Sequence, residues 1–263
     1  MSIVCTTARD ELETAIQHNL NSAVRSLGSS QICTRSTSLV TQAWSPVPFP
    51  YFNIVGWADA EDVSNISAVL RPYQTRQATA VWFQLPSSQS ERSKDRLLAH
   101  GLTLLDVRRC MAVDINAVSI PETDTHILRV QNEAQCWDWV KVQSSANGGF
   151  PPLVQQTYLE LMMSTLNTDS PLHAFIAYKG IQPVACSLLH PGNGVAGIYQ
   201  VGTIPEARRK GYGRAVTYAS LQYAGQIGCQ ISILIATQMG GPMYEKMGFQ
   251  DVLQSNVYLF SPS

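Results

Sequence analysis

Two short turns restrict the fold of this chain more than any other feature. KGIQP at 179–183 and HPGNGV at 190–195 separate three apolar runs, at 173–178, 184–189 and 195–204. Gly and Asn reach the left-handed backbone region that tight hairpins need, so the spacing predicts three consecutive antiparallel strands. A helix is expected over about 213–224, with Gly225 and Gly228 suited to ending it. ISILIA at 231–236 reads as a buried strand, 242–247 as a short helix and 257–260 as a last strand. Ahead of the hairpins lie a strand at 127–130 and helices at about 133–145 and 153–163, broken by GGFPP. Antiparallel strands followed by strand–helix–strand make an α+β or mixed α/β domain, its partly antiparallel sheet flanked by helices.

The N-terminal half has its own elements. Leu12, Ile16, Leu20 and Val24 stand four apart on one face of a helix over 9–27. A Ser/Thr-rich stretch follows, then SPVPFPYF, which must be extended or looped. Residues 59–70 read as a short helix, 78–85 as a strand ending at Pro86, 91–100 as a helix and 110–115 as a strand. SIPETDT at 119–125 has the composition of a linker and divides the chain into domains 1–122 and 123–263.

Composition excludes several classes. The chain is 45 % apolar and 14 % charged, which suits compact domains and argues against disorder. A net charge of −1 gives no global field to recruit nucleic acid or an anionic membrane. No apolar run approaches the ~20 residues of a bilayer span, and the first residues lack a signal core, so a cytoplasmic location is expected. Cys5, Cys33, Cys110, Cys136, Cys186 and Cys229 contain no CxxC pair and read as free thiols, with no metal site expected. Cys186, in VACSLL, reads as a core thiol.

RRKGYGR at 208–214 stands out against this sparse charge. It lies between an expected strand and an expected helix. Helix N-termini present unpaired N–H groups and partial positive charge, and glycines at 211 and 213 allow a ligand close to the backbone. Two readings fit: an anion nest suited to a diphosphate, or a tight turn with a charged, solvated tip. Neither the Walker pattern nor a complete GxGxxG is present, since position 216 is Val.

Arg208-x-x-Gly211-x-Gly213, within VGTIPEARRKGYG, resembles the R/Q-x-x-G-x-G/A signature of the GNAT superfamily of acyl-CoA-dependent N-acetyltransferases. ATQMGGPMYEKMGF at 236–249 is similar to a later motif of that family, and the resemblance covers about 125–263. It implies a GNAT-like, mostly antiparallel sheet flanked by helices. It also implies acetyl-CoA as cosubstrate, with the diphosphate on Arg208, Arg209, Lys210, Gly211, Tyr212, Gly213 and Arg214. A bulge in the preceding strand would offer the backbone of Val201, Gly202 and Thr203 to pantetheine; Thr203 stands where the family more often has Val. Tyr244 matches the usual general acid, and Thr237 the position of a side chain that contacts the CoA arm. His190 and Glu206 are candidates for the base, but His190 reads rather as a solvated turn residue and Glu206 as a partner of the neighbouring cations, so no general base is assigned; Tyr199 reads as a packing residue.

HGLTLLDVRRCMAVD, at 100–114, parallels MGFQDVLQSNVYLF, at 247–260. Aligning Gly101 with Gly248 puts Leu97 where Tyr244 stands. The expectation is a tandem arrangement in which 1–122 is a degenerate GNAT-like copy and 123–263 the catalytic domain. The implied function is transfer of an acetyl group from acetyl-CoA to a small-molecule or peptide amine in a ternary complex. The alternative is a non-catalytic acyl-CoA binding or sensing protein.

Overall fold

The structure, a computed structural model, describes residues 9–58, 60, 63–84 and 90–262; Cys5 lies outside them. Strands are β1 (Cys33–Ser36), β2 (Thr41–Trp44), β3 (Ile54–Ala58), β4 (Ala80–Gln84), β5 (Leu102–Asp114), β6 (His126–Arg129), β7 (His173–Lys179), β8 (Gln182–Gly192), β9 (Val195–Thr203), β10 (Ile231–Ala236) and β11 (Gln250–Phe260). Helices are α1 (Arg9–Arg25), α2 (Ile66–Thr75), α3 (Glu91–Ala99), α4 (Glu133–Ala146), α5 (Pro152–Ser164), α6 (Tyr212–Gln226) and α7 (Gly241–Lys246). No helix among the described residues is long and apolar enough to cross a membrane.

Two compact units emerge. Unit one comprises Met1–Asn19 and Met111–Val252, and unit two Leu20–Cys110 and Leu253–Ser263. The divisions therefore fall inside β5 and β11, not in SIPETDT, which is exposed coil within unit one. Strand pairing, more than linker composition, decides which residues contact one another.

In unit one the strand order is β5 (its 111–114 end), β10, β9, β8, β7, β6. β6 to β9 are antiparallel neighbours, the pairs β7–β8 and β8–β9 as the two turns require, and β9 and β10 run parallel across the α6 crossover. Asn193 and Gly194 have φ of 55° and 80°, the left-handed pair that a two-residue hairpin needs. Ala196 and Ile198 share a core with Val216 and Leu221 of α6. Leu12 and Ile16 of α1 are buried, as their spacing predicts.

In unit two the order is β1, β2, β3, β4, β11, with β3 and β4 parallel across α2. The 253–260 end of β11 completes it, pairing with β4 from Val257↔Phe83 to Phe260↔Ala80. Three strands here, β1 to β3, are not foreseen by the sequence reading, because each is short and β1 is almost wholly polar. The helix expected over 59–70 begins only at Ile66. The Asn65 side chain caps it by accepting from Ala68 N at 2.9 Å, and it runs on through Pro72 to Thr75. β5 and β11 are far longer than the expected 110–115 and 257–260.

Candidate active site

The site grows from an irregularity in β9. Cys186 pairs with Gly202, but Leu188 pairs with Tyr199, so β9 holds one residue more than β8 over this interval. This is a β-bulge, and it lies at Gln200, whose φ is +52°. The parallel ladder with β10 runs from Ala196↔Ser232 to Ile198↔Leu234 and ends there. Beyond that point the Val201, Gly202 and Thr203 backbone has no β10 partner. This is the opening that the family resemblance implied and no local sequence rule supplies.

Two carbonyls displaced by the bulge are taken up by α4. Gln143 donates Nε2–H to Gln200 O, and Trp139 donates Nε1–H to Ser187 O at 3.0 Å. Gln143 Nε2 also lies 3.3 Å from Cys186 Sγ, while its Oε1 accepts from Asn147 Nδ2 at 3.1 Å. Both Trp139 and Gln143 are buried. Gly202 eases this approach, since a Cβ there would stand 3.1 Å from Gln143 Nε2 and 3.3 Å from Ala146 Cβ. Burial pushes the Cys186 thiol up, as expected of a core cysteine.

The cationic loop follows. Arg209 and Gly211 have φ of 59° and 87°, and Gly211 is the N-cap of α6 with no side chain to close the helix end. The first amides of α6 therefore remain open beside exposed Arg209, Lys210 and Arg214. Arg208 turns back: its Nη2 donates to Ala146 O at 2.8 Å and its Nε to Thr203 O at 3.3 Å. Lys210 Nζ donates to Glu206 O at 2.8 Å. Among the described residues Arg209 and Arg214 make no side-chain hydrogen bond or ion pair. Gly213 lies so close to β9 that a Cβ would stand 3.0 Å from Thr203 Oγ1. Tyr212 is half-buried and packs on the core with Val201 and Met243.

Tyr244 stands on α7, 7 % exposed, its ring edge-on to Phe249 at 5.7 Å. Its hydroxyl has no hydrogen-bond partner among the described residues. Burial pushes the phenol pKa well up, keeping the proton on. Gly240 leaves room for the ring, as a Cβ there would stand 3.1 Å from Tyr244 Cε2. Thr237 is exposed, and its Oγ1 accepts from Gly240 N at 3.2 Å; the hydroxyl hydrogen stays available.

On the opposite face of β9 the sequence reading missed a residue. Asn19 of α1 is fully buried and donates Nδ2–H to the carbonyls of His190, Gly192 and Val195 at 3.1, 2.9 and 3.2 Å. Its Oδ1 accepts from Tyr199 Oη at 2.7 Å. Three carbonyls leave the amide no alternative orientation, so the Tyr199 hydroxyl must donate. Gly197 admits the pair, since a Cβ would stand 2.2 Å from Asn19 Oδ1. The available signal was a polar residue beside Leu20 on a buried helix. Tyr199 is thus a half-exposed, hydrogen-bonded residue as well as a packing one. His190 is no solvated turn residue: β8 continues to Gly192, and His190 is 1 % exposed. Glu206 forms no ion pair among the described residues, since Lys210 reaches its main-chain oxygen instead.

Comparison with known proteins agrees with this geometry. Residues 139–249 match the model of the Acetyltransferase (GNAT) family. No curated protein sequence matches the chain. Among solved structures, a GCN5-related N-acetyltransferase from Kribbella flavida is similar at TM-score 0.66 and 13 % identity, over 95 % of this chain and 96 % of that one. A GCN5-related N-acetyltransferase from Sphaerobacter thermophilus gives TM-score 0.56 at 13 % identity, over 84 % and 80 %. A tandem GNAT protein from the clavulanic acid biosynthesis pathway covers 100 % of this chain and 98 % of its own, at TM-score 0.54 and 10 % identity. These likenesses establish the fold, and residues 139–249 are similar to the Acetyltransferase (GNAT) family over that segment.

Proposed function

We propose that the protein is an acetyl-CoA-dependent N-acetyltransferase acting on a primary amine by direct transfer. The observation that carries this reading is the combination, in one short segment, of the Gln200 bulge, the open backbone of 201–203 and the uncapped, cationic start of α6. A diphosphate fits that helix start, where amides and the Arg209, Lys210 and Arg214 charges converge. The main chain of Val201 to Thr203 would pair with the amide groups of pantetheine as an added strand. When bound, acetyl-CoA supplies an activated acyl group on a thiol leaving group.

The chain's own residues then orient and move protons. An N–H in the bulged segment near Val201 would stabilise negative charge on a carbonyl oxygen. Tyr244 Oη holds the proton that a departing thiolate requires. A phenol is a weaker acid than a thiol, ~10 against ~8.5, so the donation is useful only at close approach. Thr237 retains a hydroxyl hydrogen for the CoA arm. Tyr199, its hydrogen committed to Asn19, offers only acceptor capacity beyond it, which suits an N–H of an incoming amine.

The test is thiol release from acetyl-CoA against a panel of small amines and peptides, in the wild type and Tyr244→Phe. Turnover with one amine class, reduced in the variant while CoA still binds, is the expected result. CoA binding without turnover on any amine would favour the alternative, an acyl-CoA binding or sensing protein.

A further inference from the structure

The bulge is the least local part of the site, and something must hold it. A bulge removes backbone groups from the ladder, and a buried carbonyl left unpaired is costly. Here both displaced carbonyls, Gln200 O and Ser187 O, meet donors on one helix, Gln143 Nε2 and Trp139 Nε1. Those residues are four apart, so they lie one turn above the other on the same face of α4. Arg208 extends the contact by binding Ala146 O at the end of α4 and Thr203 O at the end of β9.

We propose that Gln143, with Trp139, is a positioning residue for acyl-CoA: α4 templates the bulge and thereby keeps 201–203 open for the pantetheine arm. The chemistry is specific. A donor at Gln143 satisfies Gln200 O in the bulged register. Without it, that carbonyl keeps only the long contact from Cys186 Sγ at 3.9 Å, and a slip of β9 back towards regular pairing, which closes the opening, becomes favourable. The diphosphate seat is built separately, from the left-handed Arg209 and Gly211 and the start of α6. Loss of Gln143 should therefore weaken ligands that use the arm and spare those that use only the diphosphate.

This rests on the acyl-CoA reading above, and calorimetric titration with two probes separates the two claims. The probes are CoA and 3′-phospho-ADP, the CoA fragment that has the diphosphate but no pantetheine. For Gln143→Met, which keeps the length and removes the donor, CoA affinity is expected to fall at least about ten-fold, with 3′-phospho-ADP affinity within about two-fold of wild type. Unchanged CoA affinity, or an equal loss for both probes, overturns the positioning role. A wild type that binds neither probe removes the acyl-CoA reading and this inference with it. If Gln143→Met does not fold, Gln143→Glu serves instead: its ionised carboxylate faces a carbonyl, but its protonated form donates. CoA affinity relative to wild type should then recover as the pH is lowered from 8 to 6, and a flat ratio would overturn the proposal.

Discussion

The two parallel crossovers, β9–α6–β10 in unit one and β3–α2–β4 in unit two, share a topology and differ at the start of the helix. In unit two the Asn65 side chain closes the helix end by capping Ala68 N, and the sequence leading to it, Asp59-Ala60-Glu61-Asp62, is acidic. In unit one Gly211 caps nothing and the approach is Arg208-Arg209-Lys210. Both crossovers carry an extra residue in their first strand, but in β3 it faces the parallel partner β4, whereas in β9 it faces the antiparallel neighbour β8. Only the second arrangement leaves the edge towards the crossover strand unpaired. The elements that follow match as well: α3 and α7 lead through Gly101 and Gly248, at φ of 79° and 97°, into long strands. Leu97 is fully buried where α7 has the phenol of Tyr244. A shared scaffold thus has a helix start that is uncapped and cationic in one unit and capped in the other, through a few residues at one helix end.

Four substitutions sharpen or break this contrast. The largest expected effect is on kcat for Tyr244→Phe, a loss on the order of 10²–10⁴-fold. Because burial raises the phenol's pKa, its protonated form persists through the alkaline range; kcat should show no Tyr244 limb between pH 7 and ~10. A wild-type profile that already falls near pH 8, with the same fall kept in the variant, would place the acid elsewhere. Next, Gly211→Val forces a β-branched residue to a φ of +87° at the proposed diphosphate site. CoA affinity should drop by more than about ten-fold, since that conformation alone costs roughly 1–2 kcal/mol; unchanged titration curves would remove the loop from the site.

Gly197→Ala drives a Cβ into Asn19 Oδ1 and the Tyr199 ring. It should cost about 1–3 kcal/mol, read from denaturant midpoints; a neutral result would mean the Asn19–Tyr199 pair is not held as described. The smallest effect belongs to unit two. Asn65→Ala should cost ~1 kcal/mol of stability, as cap removal does, and leave CoA affinity unchanged. A loss of CoA affinity there would break the contrast and give the second crossover a part in binding.

Much of unit one was legible because its signals are local. The turns KGIQP and HPGNGV, the cationic Gly-x-Gly loop and the glycine after α7 each specify backbone conformation within a few residues. The tandem pattern was legible for the same reason, through two helix–Gly–strand segments. Less of unit two could be read. β1 to β3 are short and lack alternation, so only their neighbours make them strands. The start of α2 depended on a single cap, Asn65, which composition over 59–70 did not single out.

The sequence by itself determined the order of elements in unit one, the hairpin turns and the residue types of the loop at 208–214, since these follow from local backbone preference and charge. Tertiary structure alone decided the bulge at Gln200, the hydrogen bonds from Gln143 and Trp139 that stabilise it, and the use of Asn19 to orient Tyr199. It also decided that β5 and β11 each divide between the two units. The reason is that strand register is a long-range property. A one-residue offset between β8 and β9 leaves no mark on either sequence, and its energy is set by side chains that lie far away along the chain.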